Sequence, residues 1–254
     1  MPSMKDVEPA QLTLKSRFKF RCHPGVKCFT KCCSNINIML TPYDIIRMKN
    51  RLGMTSSEFL DKYTHMDIDP RTSHPIALIK MLKDEKKSCP FVTPEGCTIY
   101  SDRPANCRYY PIGQGTWRKS TENGIVNEEF YFFIKESYCL GYQEDTEWTV
   151  ESWRKDQGVD ICDEMNREWK EIQLRKDPTG KPLDPGQQSQ IYLASYDLDT
   201  FKKFIFESKF LDVFDVPDDE LEKIQKDEIA LMKFGFKYIK YILLIEETFK
   251  LKKK

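Results

Sequence analysis

Histidine is scarce in this 254-residue chain: His23, His65 and His74 are the only three. So few imidazoles make a histidine-rich hydrolytic zinc site or a Cys/His catalytic pair a poor expectation. Net charge is absent too, with 40 basic residues against 40 acidic ones, so no overall field draws the chain to nucleic acid or an anionic membrane. Long apolar runs are missing. The richest, residues 238–245, is interrupted by Lys240; it falls short of the roughly 20 residues a spanning helix needs and reads as a core helix. Residues 1–20 carry charges throughout and hold no signal-like apolar segment, so the expected compartment is the cytoplasm. The sequence has no phosphate-binding glycine loop, no dinucleotide fingerprint after a strand and no Gly-x-Ser-x-Gly elbow, which leaves nucleotide-dependent chemistry without support. The basic end, Lys250, Lys252, Lys253 and Lys254, reads as a solvated tail.

Cysteine, by contrast, is abundant, with nine in all. A chain with 40% apolar and 13% aromatic residues buries a core without cross-links. In a reducing compartment an odd set of nine thiols is not expected to form structural disulfides. The thiols bunch instead. Cys22, Cys28, Cys32 and Cys33 fall within twelve residues, with Pro24-Gly25 supplying a turn. Short loops with several soft donors are what zinc and iron–sulfur centres require, because thiolates must approach one cation at about 2.3 Å from different directions. A second group holds Cys89, Cys97 and Cys107, with Cys139 further on. The metal-ligand candidates are therefore Cys22, Cys28, Cys32, Cys33, Cys89, Cys97, Cys107 and Cys139, a number that fills two four-thiolate sites. Side chains of adjacent residues diverge, so Cys32 and Cys33 are expected to serve different centres, or one of them to bridge or stand spare. Cys162, in a charged helical stretch, reads as a spare thiol. His23 either ligates in place of a cysteine or merely neighbours one. Eight thiolates and two divalent cations leave about four negative charges to be balanced. Arg21, Lys27, Lys31, Arg103 and Arg108 lie among the candidates, and Arg103 and Arg108 are expected to donate to sulfur or carboxylate.

The expected fold class is α+β: a small cysteine-rich metal-binding domain of short strands and helices, followed by an α-helical C-terminal region. Composition places that domain at residues 18–142, an amphipathic helical extension at 143–175, a Pro/Gly linker at 176–188 and a helical region at 189–254. Apolar residues at period two, Ile36, Ile38 and Leu40, predict a strand, and residues 75–82 and 129–134 predict two more, the last after an Asn123-Gly124 turn. Thr41, Pro42 and Gly53 bracket a helix, and Thr55 with Glu58 forms a capping box for another. Trp148, Trp153 and Trp169 lie at helical spacing in a stretch broken near Gly158. The linker, with Pro178, Pro182 and Pro185, is expected to be exposed. Tail helices are predicted over 198–208, 217–232 and 234–249.

Certain residues carry a resemblance: Phe20-x-Cys22, Cys28, Cys32-Cys33, the Thr41-Pro42-Tyr43-Asp44 helix start, Cys89-Pro90-Phe91, Gly96-Cys97-x-Ile99-Tyr100, Arg103-Pro104, Cys107-Arg108, Tyr110-Pro111 and Cys139-x-Gly141. Over roughly residues 18–142 the chain resembles the YkgJ-type cysteine-cluster proteins, described as zinc- or iron-chelating domains. Its interval from Cys22 to Cys28 is wider than the Cys-x-x-Cys opening of many members. A fainter likeness is to flagellin lysine-N-methylases, whose cysteines are associated with an iron–sulfur cluster; this chain is shorter and shows no methyl-donor motif. The resemblance implies zinc or iron, including a 4Fe-4S cluster, as cofactor, and a role in metal handling or electron transfer. The alternatives are an iron–sulfur-dependent enzyme resembling protein lysine methylases, and a structural zinc module for protein interaction. The expected partners are a metal ion and a protein docking on the helical C-terminal region. No residue stands out as catalytic.

Overall fold

The computed structural model describes residues 7–122, 124–174 and 181–252. The chain divides into two units, each assembled from separated stretches: residues 1–38 with 81–162, and residues 39–80 with 163–254. All nine cysteines fall in the first. The α+β expectation holds, with short strands in small sheets and several helices towards the C-terminus. Among the described residues, no helix is long and apolar enough to cross a membrane.

In the first unit, the strand Gly124–Ile134 pairs antiparallel with Ile112–Thr121 on one side and Val7–Leu12 on the other. The alternation at 129–134 thus marks part of a longer strand, while Asn123 of the anticipated turn lies outside the described residues. Gly113 and Gly115 sit under the rings of Phe132 and Phe130, and a Cβ at either would come within 2.4 Å and 2.3 Å of ring carbon. The rings cover those glycines from the partner strand. A second ribbon pairs Arg17–Lys19 with Glu147–Thr149. Phe18 and Phe20 then join Tyr109, Ile112, Tyr131, Val150, Trp153 and Val159 in one buried cluster. Trp153 meets Phe18 and Phe20 edge to face, with ring centres 5.9 Å and 5.6 Å apart. Both indoles keep a polar partner: Trp153 donates to the Tyr109 carbonyl at 3.2 Å and Trp148 to the Phe20 carbonyl at 2.9 Å. The helices Val150–Gln157 and Val159–Leu174 separate at Gly158, whose φ of 62° is the left-handed conformation that ends a helix.

The second unit holds a small sheet in the order Met39–Leu40, Pro75–Ile79, Thr64–Ile68. The strand expected from Ile36 shrinks to two residues. Asn35, at φ 49°, turns the chain just before the run, and of residues 36–40 only Met39 and Leu40 pair with Pro75–Ile79. The helix Pro42–Leu52 starts on a Thr41/Asp44 capping box and ends at Gly53 with φ 64°; Ser56–Tyr63 starts on the Thr55/Glu58 box. The helices Pro185–Ser195, Leu198–Glu207, Phe210–Val213, Asp218–Lys226 and Glu228–Ile242 follow.

Three expectations need correction here. Residues 185–188 of the anticipated linker open a helix, because Asp184 and Gln187 cap one another and Pro185 suits the first turn; Leu183 just before it is buried. Residues 176–180 of that linker lie outside the described residues. The predicted helix 217–232 instead breaks at Asp227, whose carboxylate accepts from the amides of Ile229 and Ala230 and so begins the next helix. That helix ends at Ile242 and not near Phe249. Gly235 on it faces the Ala194 carbonyl so closely that a Cβ would lie 2.2 Å from the oxygen; no larger residue fits that helix crossing.

Candidate metal centre

The Cys22 to Cys33 stretch is wound by successive short turns. Val26 donates to the His23 carbonyl, Phe29 to Val26, Lys31 to Cys28 and Cys33 to Thr30, all between 2.8 and 3.0 Å. Thr30, at φ 66°, leads into a 3-10 turn at Lys31–Cys33. The chain then meets the second group directly. Ser34 and Ser88 form a bridge, the Asn35 amide donates to the Lys87 carbonyl at 2.9 Å, and the Cys89 amide donates to the Cys33 carbonyl at 2.8 Å. A two-residue hairpin, Val92–Thr93 with Gly96–Cys97, carries Cys97 back, and its Gly96 takes φ 126° at the turn. Cys107 lies half-buried on the helix Ala105–Tyr109.

Cys139 arrives from a third direction. Its amide donates to the Glu136 carbonyl at 2.9 Å, the Arg21 amide donates to the Gly141 carbonyl at 3.0 Å, and the Leu140 amide donates to the Cys28 sulfur at 3.2 Å. A Cβ on Gly141 would stand 2.7 Å from the Phe20 ring, so the Cys-x-Gly spacing lets Cys139 approach Cys28 over the aromatic core. None of the nine cysteines is in a disulfide.

The sulfurs sense one another. Although Cys22 is exposed, the protein around its sulfur pushes the thiol up to about 12, and Cys32, Cys28 and Cys139 add to the effect. Cys32 is driven higher, first by its hydrogen bond with Cys33 and then by burial, with Cys33 and Glu136 contributing charge. Burial raises Cys89 to about 11, against an opposing bond from the Phe91 amide, with Cys97 and Cys32 as charged neighbours. Burial also raises Cys97, and the nearby Arg103 opposes it. Cys139 is raised by burial and partly restrained by the Tyr110 hydroxyl. That hydroxyl is buried and makes no hydrogen bond of good geometry; burial and the Cys139 sulfur beside it hold its ionisation far above the usual tyrosine range. Without a cation these sulfurs are therefore protonated thiols that neighbour one another, which is the electrostatic state a bound divalent ion would reverse.

The remaining candidates separate clearly. His23 accepts from the Gly25 amide at Nδ1, 3.2 Å away, and shares Nε2 with Glu144 at 3.1 Å, so both ring nitrogens are engaged. Cys162 is fully buried in its helix, its thiol 3.7 Å from the Gly158 carbonyl one turn earlier. Arg103 was expected to donate to sulfur or carboxylate; its charge acts on Cys97, but its bonds go to the Tyr100 carbonyl and the Gln157 side-chain oxygen, with the guanidinium 3.8 Å above the Tyr100 ring. Arg108 donates from its three nitrogens to the carbonyls of Arg103, Gln157 and Ser101 and so clamps the turn before Cys107. Glu136, Tyr110 and Tyr138 were not among the anticipated neighbours. Only the closeness of Glu136 and Tyr138 to Cys139 in sequence hinted at two of them.

Among the described residues, no three His, Cys, Asp or Glu side chains already stand at metal-holding spacing. The donor chemistry nevertheless fits zinc or iron: soft sulfur, gathered from three stretches and unpaired as disulfide. Residues 21–146 match the model of the CxxCxxCC family, described as a "putative zinc- or iron-chelating domain". No curated protein and no solved structure matches the chain.

Proposed function

We propose, on the strength of a zinc- or iron-chelating domain over residues 21–146, that this protein binds its metal through the thiolates of Cys22, Cys28, Cys32, Cys33, Cys89, Cys97, Cys107 and Cys139 and serves metal handling or electron transfer. The single observation that carries the reading is the meeting of the cysteine groups: the Cys89 amide bonds the Cys33 carbonyl, and the Leu140 amide bonds the Cys28 sulfur. Sulfurs from residues more than a hundred positions apart thereby share one neighbourhood. A bound cation would hold the thiolates charged and offset their mutual repulsion. This chain's residues do the rest. The aromatic cluster of Phe18, Phe20, Tyr109 and Trp153 keeps water from one side, Arg103 sets positive charge beside Cys97, and Arg108 fixes the Ser101–Cys107 segment.

Metal analysis and visible absorption of anaerobically purified protein test the proposal. Zinc or iron in stoichiometric amount supports it, and a sulfur-to-iron absorption band would specify an iron–sulfur cluster. Protein that carries no zinc or iron, and takes up neither when reduced, overturns it.

A further inference from the structure

Glu136 lies near Cys32 and Tyr110, and its carboxylate is a hydrogen-bond partner of the Tyr138 hydroxyl. Its main-chain carbonyl accepts from the Cys139 amide, so a tight turn joins the two residues. One oxygen, Oε2, is buried and has no hydrogen bond of good geometry among the described residues. A buried carboxylate oxygen among sulfurs is costly unless something positive faces it. The basic residues nearby are otherwise occupied: Arg17 pairs with Glu147 and Lys19 with Asp145, while Lys135 stands 5.1 Å from the Phe133 ring centre. A cavity of about 530 Å³, walled by Lys135, Glu136, Ser137, Cys139 and Tyr142 among others, opens at this edge of the cysteine group.

We propose that Glu136 is an oxygen ligand of the centre, beside Cys32 and Cys139 and facing that cavity. This rests on the chelation reading and deepens it. With eight sulfurs and one oxygen, the donors exceed by one what two four-coordinate ions need. One position at the cavity edge is then shared between sulfur and oxygen, and the ion there exchanges more readily than one enclosed by four thiolates. Such an edge suits a protein that passes its metal on.

The test loads the reduced full-length protein with cobalt(II), whose thiolate-to-metal bands report sulfur ligation and whose d–d bands shift to longer wavelength as sulfur replaces oxygen. Wild-type protein is compared with Glu136→Gln and Glu136→Cys, with circular dichroism checking the fold of each. The expected result is d–d bands moved to longer wavelength in both variants, as sulfur takes the shared position, with slower loss of cobalt to a chelator in Glu136→Cys. If Glu136→Gln fails to fold, the band shift and exchange rate of Glu136→Cys decide alone. Wild-type spectra in both variants and a wild-type exchange rate in Glu136→Cys overturn the assignment of Glu136 while leaving thiolate chelation standing. Wild-type protein without any thiolate-to-cobalt band overturns both.

Discussion

Between Cys22 and Cys107, the cysteine-bearing unit offers only two-residue strands, three-residue 3-10 turns and a five-residue helix. The other unit starts its helices on reciprocal caps at Thr41, Thr55 and Asp184 and fills its interior with Tyr196, Phe201, Phe234 and Phe236, all buried to within 2%. The difference shows where each gets its order. Phe201 lies with its ring 5.7 Å from Tyr238 and 6.4 Å from Phe234, and apolar burial of that kind needs no ligand. The cysteine loops bury single apolar side chains, Val26, Phe91 and Ile99, and leave most of their sulfurs half-buried, so a cation would add to their order.

The sharpest way to break this contrast is to strip the metal. A structural zinc contributes about 10 to 16 kcal/mol in small zinc peptides, comparable with the whole stability of a domain at about 5 to 15 kcal/mol. Chelator treatment is expected to abolish hydrogen-exchange protection at the Cys33, Cys89 and Leu140 amides while the helices of residues 185–242 keep theirs. Equal loss in both units would erase the distinction. Next in size are Cys28→Ser and Cys107→Ser, expected to lower metal content and the melting temperature of the cysteine unit. Cys162→Ser is expected to leave metal content unchanged, and elemental analysis of the three variants separates ligand from buried thiol.

The converse variant is Phe201→Ala, expected to cost about 3 to 5 kcal/mol by urea unfolding with metal content intact. A smaller probe is Asp184→Ala, which removes a cap worth about 1 kcal/mol; it should shift the urea midpoint of the helical unit and leave cobalt or zinc affinity alone. The smallest effect is a pH dependence. Burial alone would raise the Asp199 carboxyl, but the Ser56 amide and hydroxyl and the Lys49 charge overcome it and hold the group below the usual carboxylate range. A lowered folded value means that the contribution is complete above the unfolded value of about 3.9 and lost as pH falls through the folded one. Wild-type protein is expected to lose urea resistance as pH falls below about 4 more steeply than Asp199→Asn.

The helix starts at Thr41 and Thr55 and the break at Gly158 were legible because caps and left-handed glycines act over three or four residues. The helix begun at Asp184 was hidden by composition, since a proline- and glycine-rich run reads as a loop until its cap is recognised, and the division at Asp227 was hidden because one capping aspartate does not stand out in a charged helical run. In the candidate site, the eight cysteines stood out by spacing. Their meeting did not, because the Cys33–Cys89 and Cys28–Leu140 bonds join residues far apart in sequence and leave no local pattern. Arg108 has a task that spacing does not reveal: its planar fork donates to three main-chain carbonyls, those of Arg103, Gln157 and Ser101.

The hydrogen bond from Cys89 to Cys33 also sets an order of events during synthesis. A ribosome that has released the chain only as far as Cys33 has delivered four of the eight sulfurs, with nothing to meet that carbonyl. Closing a loop of this length costs chain entropy that grows only with the logarithm of its span, so the delay is one of waiting for translation more than of searching. On the proposed ligand set, capture of every donor belongs to a chain already extended past Cys139, and a transcript truncated before that codon would yield a product that lacks at least that sulfur.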